Sequence, residues 1–237
     1  MTHHAFSSLP RNRAFVLVGL GVVGTVAIVV SLFFPTSARQ QFSQPLTTTE
    51  IRSSEVPAPS TVHADIPVSQ ALEVLIPAVG IDAPVEQNPC RVKDQKINPA
   101  TLDKACTYTA DDKPYSLPGT DAKDIVVIAG HTGAGVDAVF NNLYDGTKNT
   151  HTIHLGDKLY VRTSTSGTKW LMYTATDLHD PQKGVLAEDE SIWGTGPMPG
   201  RLLTISCVQS ANLLAASVRN SVIGWQLDEP VEIAPRR

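Results

Sequence analysis

Short strand-like runs, each ended by proline, glycine or polar turn residues, recur from Ile66 to the C-terminus of this chain. The whole chain carries 17 prolines and 16 glycines, scattered among runs rich in valine, isoleucine and threonine. Such interruptions favour short strands joined by turns. Seven or eight strands with one minor helix in about 170 residues predict an all-β domain, either a closed barrel or a sandwich.

Individual runs predict particular strands. The segment ALEVLIPAVGIDAPV alternates apolar and polar residues between prolines, which predicts two edge-type strands. The apolar run Asp124–Gly130 predicts a strand buried on both faces. Two runs that flank Gly167 predict a hairpin, and residues 137–146 predict one short helix that ends at Gly146. Further strands are predicted for RLLTISC, RNSVIGWQL and PVEIA.

An uncharged apolar segment of 21 residues, Ala14–Phe34, precedes this domain. As a helix it would reach about 30 Å, enough to cross a bilayer core. Arg11 and Arg13 lie just before it, so the positive-inside rule places the N-terminus in the cytoplasm and the remainder outside. A cleaved signal peptide is the alternative, but its apolar core would have only about 7–15 residues. We therefore expect an uncleaved single-pass anchor in the cell membrane.

Within the apolar segment, Gly19–Gly24 matches the G-x-G-x-x-G dinucleotide fingerprint. That motif needs an acidic residue about 20 positions on, and the first acidic residue of the chain is Glu50. The cofactor interpretation is therefore rejected. Residues 35–65 are rich in serine, threonine and proline and predict a solvated linker. The expected organisation is a cytoplasmic segment (1–13), an anchor (14–34), an extracellular linker (35–65) and a catalytic domain (66–237).

The three cysteines divide into a close pair and a single residue. Cys90 and Cys106, with 15 residues between them, are expected to form a disulfide outside the cell. Closing a loop of that size contributes about 3 kcal/mol in the chain-entropy model. A zinc site is the alternative, but no second cysteine–histidine pair accompanies them. The net charge of −4 and the lack of a basic stripe argue against a nucleic-acid partner.

Cys207 remains unpaired at the end of an apolar run, which makes it a candidate reactive thiol. A thiol nucleophile needs a base and donors for the oxyanion. His131 follows the buried run directly and leads into a glycine loop, so a rigid strand would present it. Arg219 begins the strand after Cys207, and antiparallel pairing would bring both to one end of the sheet. Taken singly, each residue also fits a structural role: a buried inert thiol, a rim histidine and a solvated arginine.

Taken together, VVIAGHTG, VFNNLYDG, LGDKLYV, ISC and VRNSVIGW resemble the sortase family of Gram-positive cell-surface transpeptidases in order and spacing. The resemblance covers about residues 70–233 and implies a closed eight-stranded β-barrel. It implies Cys207 as nucleophile, His131 as acid and base, and Arg219 as the residue that binds the oxyanion or positions the peptide. Where the family pattern is T-L-x-T-C, this chain has Leu203-Thr204-Ile205-Ser206-Cys207, in which Ser206 keeps a hydroxyl beside the nucleophile. The segment holding Cys90 and Cys106 is an addition to the common core. The single-anchor layout resembles the actinobacterial branches called classes E and F.

The resemblance implies a membrane-anchored cysteine transpeptidase that cuts an LPxTG-like sorting signal after threonine. Its expected partners are surface proteins carrying that signal, and a cell-wall precursor or pilin amine as acceptor. No metal or organic cofactor is implied. Calcium activation would need acidic loops, for which Ala187–Glu190 is the one candidate, and a solvated acidic turn is the simpler interpretation. Two alternatives remain: a hydrolytic cysteine peptidase, and a tethered β-domain for binding or adhesion with an inert Cys207.

Overall fold

A computed structural model of the chain describes residues 65–94, 96–109, 115–212 and 214–232. These residues form strands, three single 3-10 turns (Pro77–Val79, Asn141–Leu143 and Leu186–Glu188) and one four-residue helix, α1 (Glu190–Trp193). The strands are β1 (Ala71–Ile76), β2 (Ile81–Pro84), β3 (Arg91–Lys93), β4 (Lys96–Asn98), β5 (Cys106–Thr107), β6 (Val126–Ala129), β7 (Tyr144–Asp145), β8 (Thr150–His151), β9 (Lys158–Thr163), β10 (Lys169–His179), β11 (Arg201–Cys207), β12 (Asn220–Leu227) and β13 (Val231–Glu232). The all-β prediction is confirmed.

The N-terminal segments predicted from the sequence fall almost entirely before residue 65. The cytoplasmic segment, the anchor Ala14–Phe34 and all but the last residue of the linker lie outside the described residues. Within the described ranges, every helix is too short or too polar to span a bilayer.

Nine strands form one curled sheet in the order β2-β1-β9-β10-β12-β11-β6-β5, with β13 added beside β10. The predicted hairpin around Gly167 is β9–β10, and the predicted strands at the C-terminal end are β11, β12 and β13. All neighbouring strands on this path are antiparallel except β6 and β11, which are parallel. This parallel pair joins two segments that are far apart in sequence, and the candidate site lies at its end.

The two edges of the sheet approach each other without forming a continuous ladder. A single bridge joins Val85, after β2, to Ala105, before β5. The Ala105 N–H donates to the carbonyl of Pro84 at 3.1 Å. Pro84 has no N–H to donate, so the ladder does not continue on its N-terminal side. The described residues therefore show a curled nine-stranded sheet whose edges are joined by one bridge, where a closed eight-stranded barrel was expected.

Apolar side chains on the two faces of this sheet form two separate clusters. One face contributes Ile128, Leu202 and Trp225 to the larger cluster, and the indole N–H of Trp225 donates to the Thr204 hydroxyl at 3.0 Å. The other face contributes Val127 and other side chains to the second cluster. All four residues of β6 are buried, as the uninterrupted apolar run predicts. A strand packed on both faces gives the residue that follows it a rigid base.

The helix predicted for residues 137–146 is wrong. This segment forms a single 3-10 turn followed by β7. Asn141 accepts a hydrogen bond from the Gly133 N–H at 2.7 Å and donates to the Val136 carbonyl at 2.9 Å. Asp145 accepts from two backbone N–H groups of the following turn. These short polar side chains bond to loop backbone in ways a continuous helix does not permit.

Candidate active site

Cys207 is the last residue of β11, at the point where the strand leaves the sheet. Its thiol is free and half-buried. β11 lies between β6 and β12, and every preceding residue of the strand is buried. The apolar run that ends at Cys207 is therefore a central strand, and it delivers the thiol to the rim of the packed region.

His131 lies level with Cys207 on the neighbouring strand. In the parallel pair Ala129 lies opposite Ile205, so continuing both chains by two residues brings His131 beside Cys207. Two hydrogen bonds extend this alignment beyond the strands. The Gly130 N–H donates to the Ile205 carbonyl at 3.1 Å, and the Thr132 hydroxyl donates to the Cys207 carbonyl at 3.0 Å. Both side chains line one cavity of about 460 Å³.

Gly130 is required for this approach. A Cβ atom built on it would lie 2.5 Å from the Phe140 ring and 2.6 Å from the Val139 side chain. Phe140 is fully buried and donates its N–H to the His131 carbonyl at 3.0 Å. The chain therefore turns tightly around the Phe140 ring at His131. A side chain at Gly130 would push this ring and the turn apart.

The His131 ring is held by a backbone carbonyl. Its Nε2 lies 3.0 Å from the Pro99 oxygen. A carbonyl oxygen only accepts hydrogen bonds, so Nε2 carries the hydrogen. In the neutral ring Nδ1 is then the basic atom, which fixes the tautomer available for proton transfer.

The lining of the cavity combines aromatic and apolar side chains with several lysines. Tyr115 and Trp193 stack with ring centroids 5.3 Å apart, and Tyr115 also contacts the Tyr108 ring. The lining also includes lysines from two separate segments: Lys93, Lys96 and Lys183. This combination of a large apolar surface with a few polar groups is typical of a ligand-binding cavity.

Arg219 lies at the same end of the sheet as Cys207, but its side chain does not share the cavity. The Val208 N–H donates to the Arg219 carbonyl at 3.0 Å, which places the two strands side by side at this end. The cavity-lining residues, all within the described ranges, do not include Arg219. Its guanidinium binds Asp180 and Asn149 and lies 5.7 Å from the centre of the Tyr144 ring.

The residue opposite Cys207 is Asn220, not Arg219. Arg219 immediately precedes β12, and successive residues of extended chain point to opposite faces, so the two neighbours serve different sides of the sheet. Asn220 lines the cavity and donates from Nδ2 to the Ser206 carbonyl at 3.0 Å. It carries no local motif. The antiparallel register of the two strands is the one feature from which its position follows.

The Arg219 side of the sheet holds its own polar network. His151 lies there with its Nδ1 3.2 Å from the Ser221 hydroxyl and its ring edge-on to Tyr144. Burial lowers the pKa of His151. Its ring is therefore uncharged near neutral pH, and the network contains Arg219 and Asp180 as its charged pair.

The other residues that the sequence analysis singled out serve the fold. Cys90 and Cys106 are joined in a disulfide, and both are buried against β6. In the acidic segment Ala187–Glu190, the Asp189 side chain caps α1 by accepting from the Ser191 N–H at 3.0 Å. Across the described parts of the chain, no group of three or more histidine, cysteine or acidic side chains is placed to hold a metal ion.

No protein-family model and no curated protein sequence matches this chain. Among solved structures it is similar to sortase A of Listeria monocytogenes, with 15% identity, a TM-score of 0.45, and coverage of 71% of this chain and 92% of that one. It is similar to sortase C-1 of Actinomyces oris, with 18% identity, a TM-score of 0.46, and coverage of 69% and 75%. It is also similar to sortase C-3 of Streptococcus pneumoniae, with 16% identity, a TM-score of 0.48, and coverage of 71% and 67%.

Proposed function

We propose that this chain is a sortase-type cysteine transpeptidase whose sheet closes as an eight-stranded barrel. The observation that carries the proposal is the placement of two side chains. The free, half-buried thiol of Cys207 and the ring of His131 lie level on adjacent strands and line one cavity. A nucleophile, a base beside it and a third group that orients the base are the arrangement that covalent catalysis requires.

In the first half of the reaction, the Cys207 thiolate attacks the threonine carbonyl carbon of an LPxTG-like signal. A carbon–sulfur bond forms and the threonine–glycine carbon–nitrogen bond breaks, which leaves a thioester on Cys207. His131, protonated, gives its proton to the departing glycine nitrogen. The apolar and aromatic wall of the cavity would hold the side chains before the scissile bond.

In the second half, an acceptor amine attacks the same carbonyl carbon. The new amide bond forms, the carbon–sulfur bond breaks, and the sulfur leaves as the thiolate. His131 takes the proton lost by the amine, so the enzyme returns to its starting protonation. The acceptor would be an amine of a cell-wall precursor or a pilin.

Arg219 and Asn220 are the two candidates for the oxyanion donor. Arginine is a permanent cation with a fork of donors, but the Arg219 guanidinium would first have to leave Asp180 and Asn149. Asn220 already lines the cavity opposite Cys207, and its amide would have to leave the Ser206 carbonyl. We retain Arg219 as the oxyanion or peptide-binding residue and treat Asn220 as the competing assignment.

The proposal includes the expected organisation of the whole chain. Residues 14–34 would anchor it in the cell membrane with residues 1–13 in the cytoplasm. The linker 35–65 would then hold the catalytic domain 66–237 outside the cell, where surface proteins with a sorting signal and the acceptor amine are available.

The decisive experiment incubates the full chain in detergent with a panel of LPxTG-like peptides, with and without a glycine-type amine. We expect cleavage after threonine and, with amine, a product in which threonine is joined to it, both detected by mass spectrometry. The Cys207→Ala variant should form neither product while keeping its unfolding midpoint, because a half-buried rim thiol contributes little packing.

Two results would contradict the proposal. A threonine-ended product that never joins the amine would identify a hydrolytic peptidase. A native chain that cleaves no peptide and whose Cys207 resists a thiol-alkylating reagent would identify a binding domain with an inert cysteine.

A further inference from the structure

The segment between the two disulfide cysteines contacts His131. It forms the β3–β4 hairpin and then continues through Pro99, whose carbonyl lies 3.0 Å from Nε2 of His131. Pro99 is buried and also lines the cavity. The hydrogen bond joins residues 32 positions apart, so it depends on how this segment is held.

The Pro99 carbonyl is itself fixed by two side chains. Arg91 donates from Nη2 to the Pro99 oxygen at 3.2 Å and to the Ala100 oxygen at 3.1 Å. Glu86 accepts at Oε1 from the N–H groups of Ala100 and Thr101 at 2.8 and 2.9 Å. The peptide groups on both sides of Ala100 are therefore bonded to charged side chains, and charge-assisted hydrogen bonds are the stronger kind.

The ends of the segment are attached to β5, which lies beside β6. The disulfide joins Cys90, just before β3, to Cys106 in β5, and the Cys90 N–H donates to the Thr107 carbonyl at 2.9 Å. β5 pairs with β6, the strand that carries His131 at its end. The segment is thus fixed to the same part of the sheet as the ring it contacts.

We propose that Glu86 and Arg91 are positioning residues that hold the Pro99 carbonyl and, through it, orient the His131 ring. This inference rests on the proposed function. The carbonyl would take the part of the third group that orients the base, keeping the hydrogen on Nε2 and Nδ1 available for proton transfer. We call Glu86, Arg91 and the Pro99 carbonyl the His131 clasp.

Steady-state kinetics of Glu86→Ala and Arg91→Ala test the clasp. We expect kcat, expressed per alkylatable Cys207 thiol, to fall about tenfold in each, which is the lower end of the loss found for outer hydrogen-bond partners of metal-binding histidines. KM for the peptide should stay within about twofold, because neither side chain lines the cavity. Glu86→Gln keeps the accepting oxygen and should retain most of the native kcat. A merely structural role would lower the unfolding midpoint and leave kcat per thiol unchanged.

Arg162→Ala is the matched control. Arg162 donates two hydrogen bonds to Glu73 at 2.9 and 3.0 Å, in the β1–β9 part of the sheet and outside the cavity lining. Its kcat should equal that of the native chain. Native kcat in both Glu86→Ala and Arg91→Ala would overturn the clasp while leaving the proposed function intact. Peptide cleavage by Cys207→Ala would instead refute the proposed function.

Discussion

At the scale of single residues, the two faces of the sheet at the start of β12 carry different polar groups. Asn220 faces the cavity with Cys207, while Arg219 faces a network of Asp180, Asn149 and Tyr144. Arg219 and Asn220 are adjacent in sequence, so their side chains lie on opposite faces of the sheet. Which of the two would serve the proposed reaction therefore depends on which face of the sheet the reaction uses.

Alanine variants of both residues distinguish the assignments. If Arg219 supplies the oxyanion donor, Arg219→Ala should lower kcat at least about a hundredfold, and Arg219→Lys should remain impaired because it lacks the planar fork. Asn220→Ala should then have a small effect. Peptide turnover under saturating conditions measures both. A native rate in Arg219→Ala together with a large loss in Asn220→Ala would move the role to Asn220.

Arg201, at the other end of β11, contributes to stability. It is 8% exposed and donates two hydrogen bonds to Asp177 at 2.9 and 2.7 Å. Gly224 packs so closely against the same carboxylate that a Cβ atom on it would lie 2.3 Å from a carboxylate oxygen. Burial raises the pKa of Asp177, but hydrogen bonds from Arg201, Thr176 and His179 outweigh burial and lower this pKa to about 2.

Arg201→Ala should lower the free energy of unfolding by about 2 kcal/mol at pH 7, since a half-buried carboxylate would lose its main partner. The depressed pKa of Asp177 means that its contribution is complete above about pH 4 and is lost as the pH falls towards about 2. Urea unfolding at pH 7 and pH 3 measures both effects. Arg162→Ala, which breaks a more exposed pair, should cost less than about 1 kcal/mol. Equal losses in the two variants would contradict the argument.

At the scale of elements, the long strands are the part of the fold that the sequence predicts. β9, β10, β11 and β12 follow from apolar patterning and from the turn at Gly167, because periodicity and turn residues are local properties. The helix predicted for residues 137–146 fails because Asn141 and Asp145 bond to loop backbone. Closure of the sheet depends on contacts between distant edges, which no local pattern encodes.

The candidate site divides in the same way. Cys207 and His131 are identifiable because each ends an apolar strand, and their proximity follows once those strands are neighbours. The Pro99 carbonyl and the stacked Tyr115 and Trp193 come from segments without periodic patterning. Their positions depend on tertiary contacts, so only the folded chain reveals them.

The disulfide joins the two ends of the segment that contains the β3–β4 hairpin, and it should support both stability and the site. Replacing Cys90 and Cys106 together by alanine should lower the free energy of unfolding by about 3 kcal/mol. At low temperature kcat should also fall, because the segment that contacts His131 loses one attachment. Mass spectrometry of a non-reduced digest checks the linkage, and urea unfolding checks the cost. Two free thiols in the native chain, or unchanged stability of the double variant, would contradict this prediction.

At the scale of the whole molecule, the charge of the cavity opposes the charge of the chain. The chain carries a net charge of −4, yet Lys93, Lys96 and Lys183 line the cavity with Asp94 as the one acidic residue of its lining in the described ranges. Lys93 and Lys96 are also direct cross-strand partners, an arrangement that costs stability between like charges. The excess of positive charge around the cavity favours a substrate with an anionic group.

A matched pair of sorting-signal peptides tests this preference. A peptide with glutamate at its variable position should have a KM several-fold lower than the same peptide with glutamine at low ionic strength. The difference should disappear at about 0.5 M salt, where charges are screened over a few ångströms. Lys183→Gln should reduce the preference. Lys148→Gln, on an exposed turn outside the cavity lining, should not. Equal KM values for the two peptides at low salt would contradict it.

The parallel pairing of β6 with β11 also has a consequence for the order of folding. The bond between Thr132 and the Cys207 carbonyl spans 75 residues of chain, whereas a hairpin such as β9–β10 closes locally. Contacts between distant segments form late, because a long loop must close before they contribute. The Cys207 thiol and the His131 ring therefore meet only when the sheet is nearly complete. Until then Cys207 has no histidine ring beside it, and the pair that the proposed reaction needs does not exist.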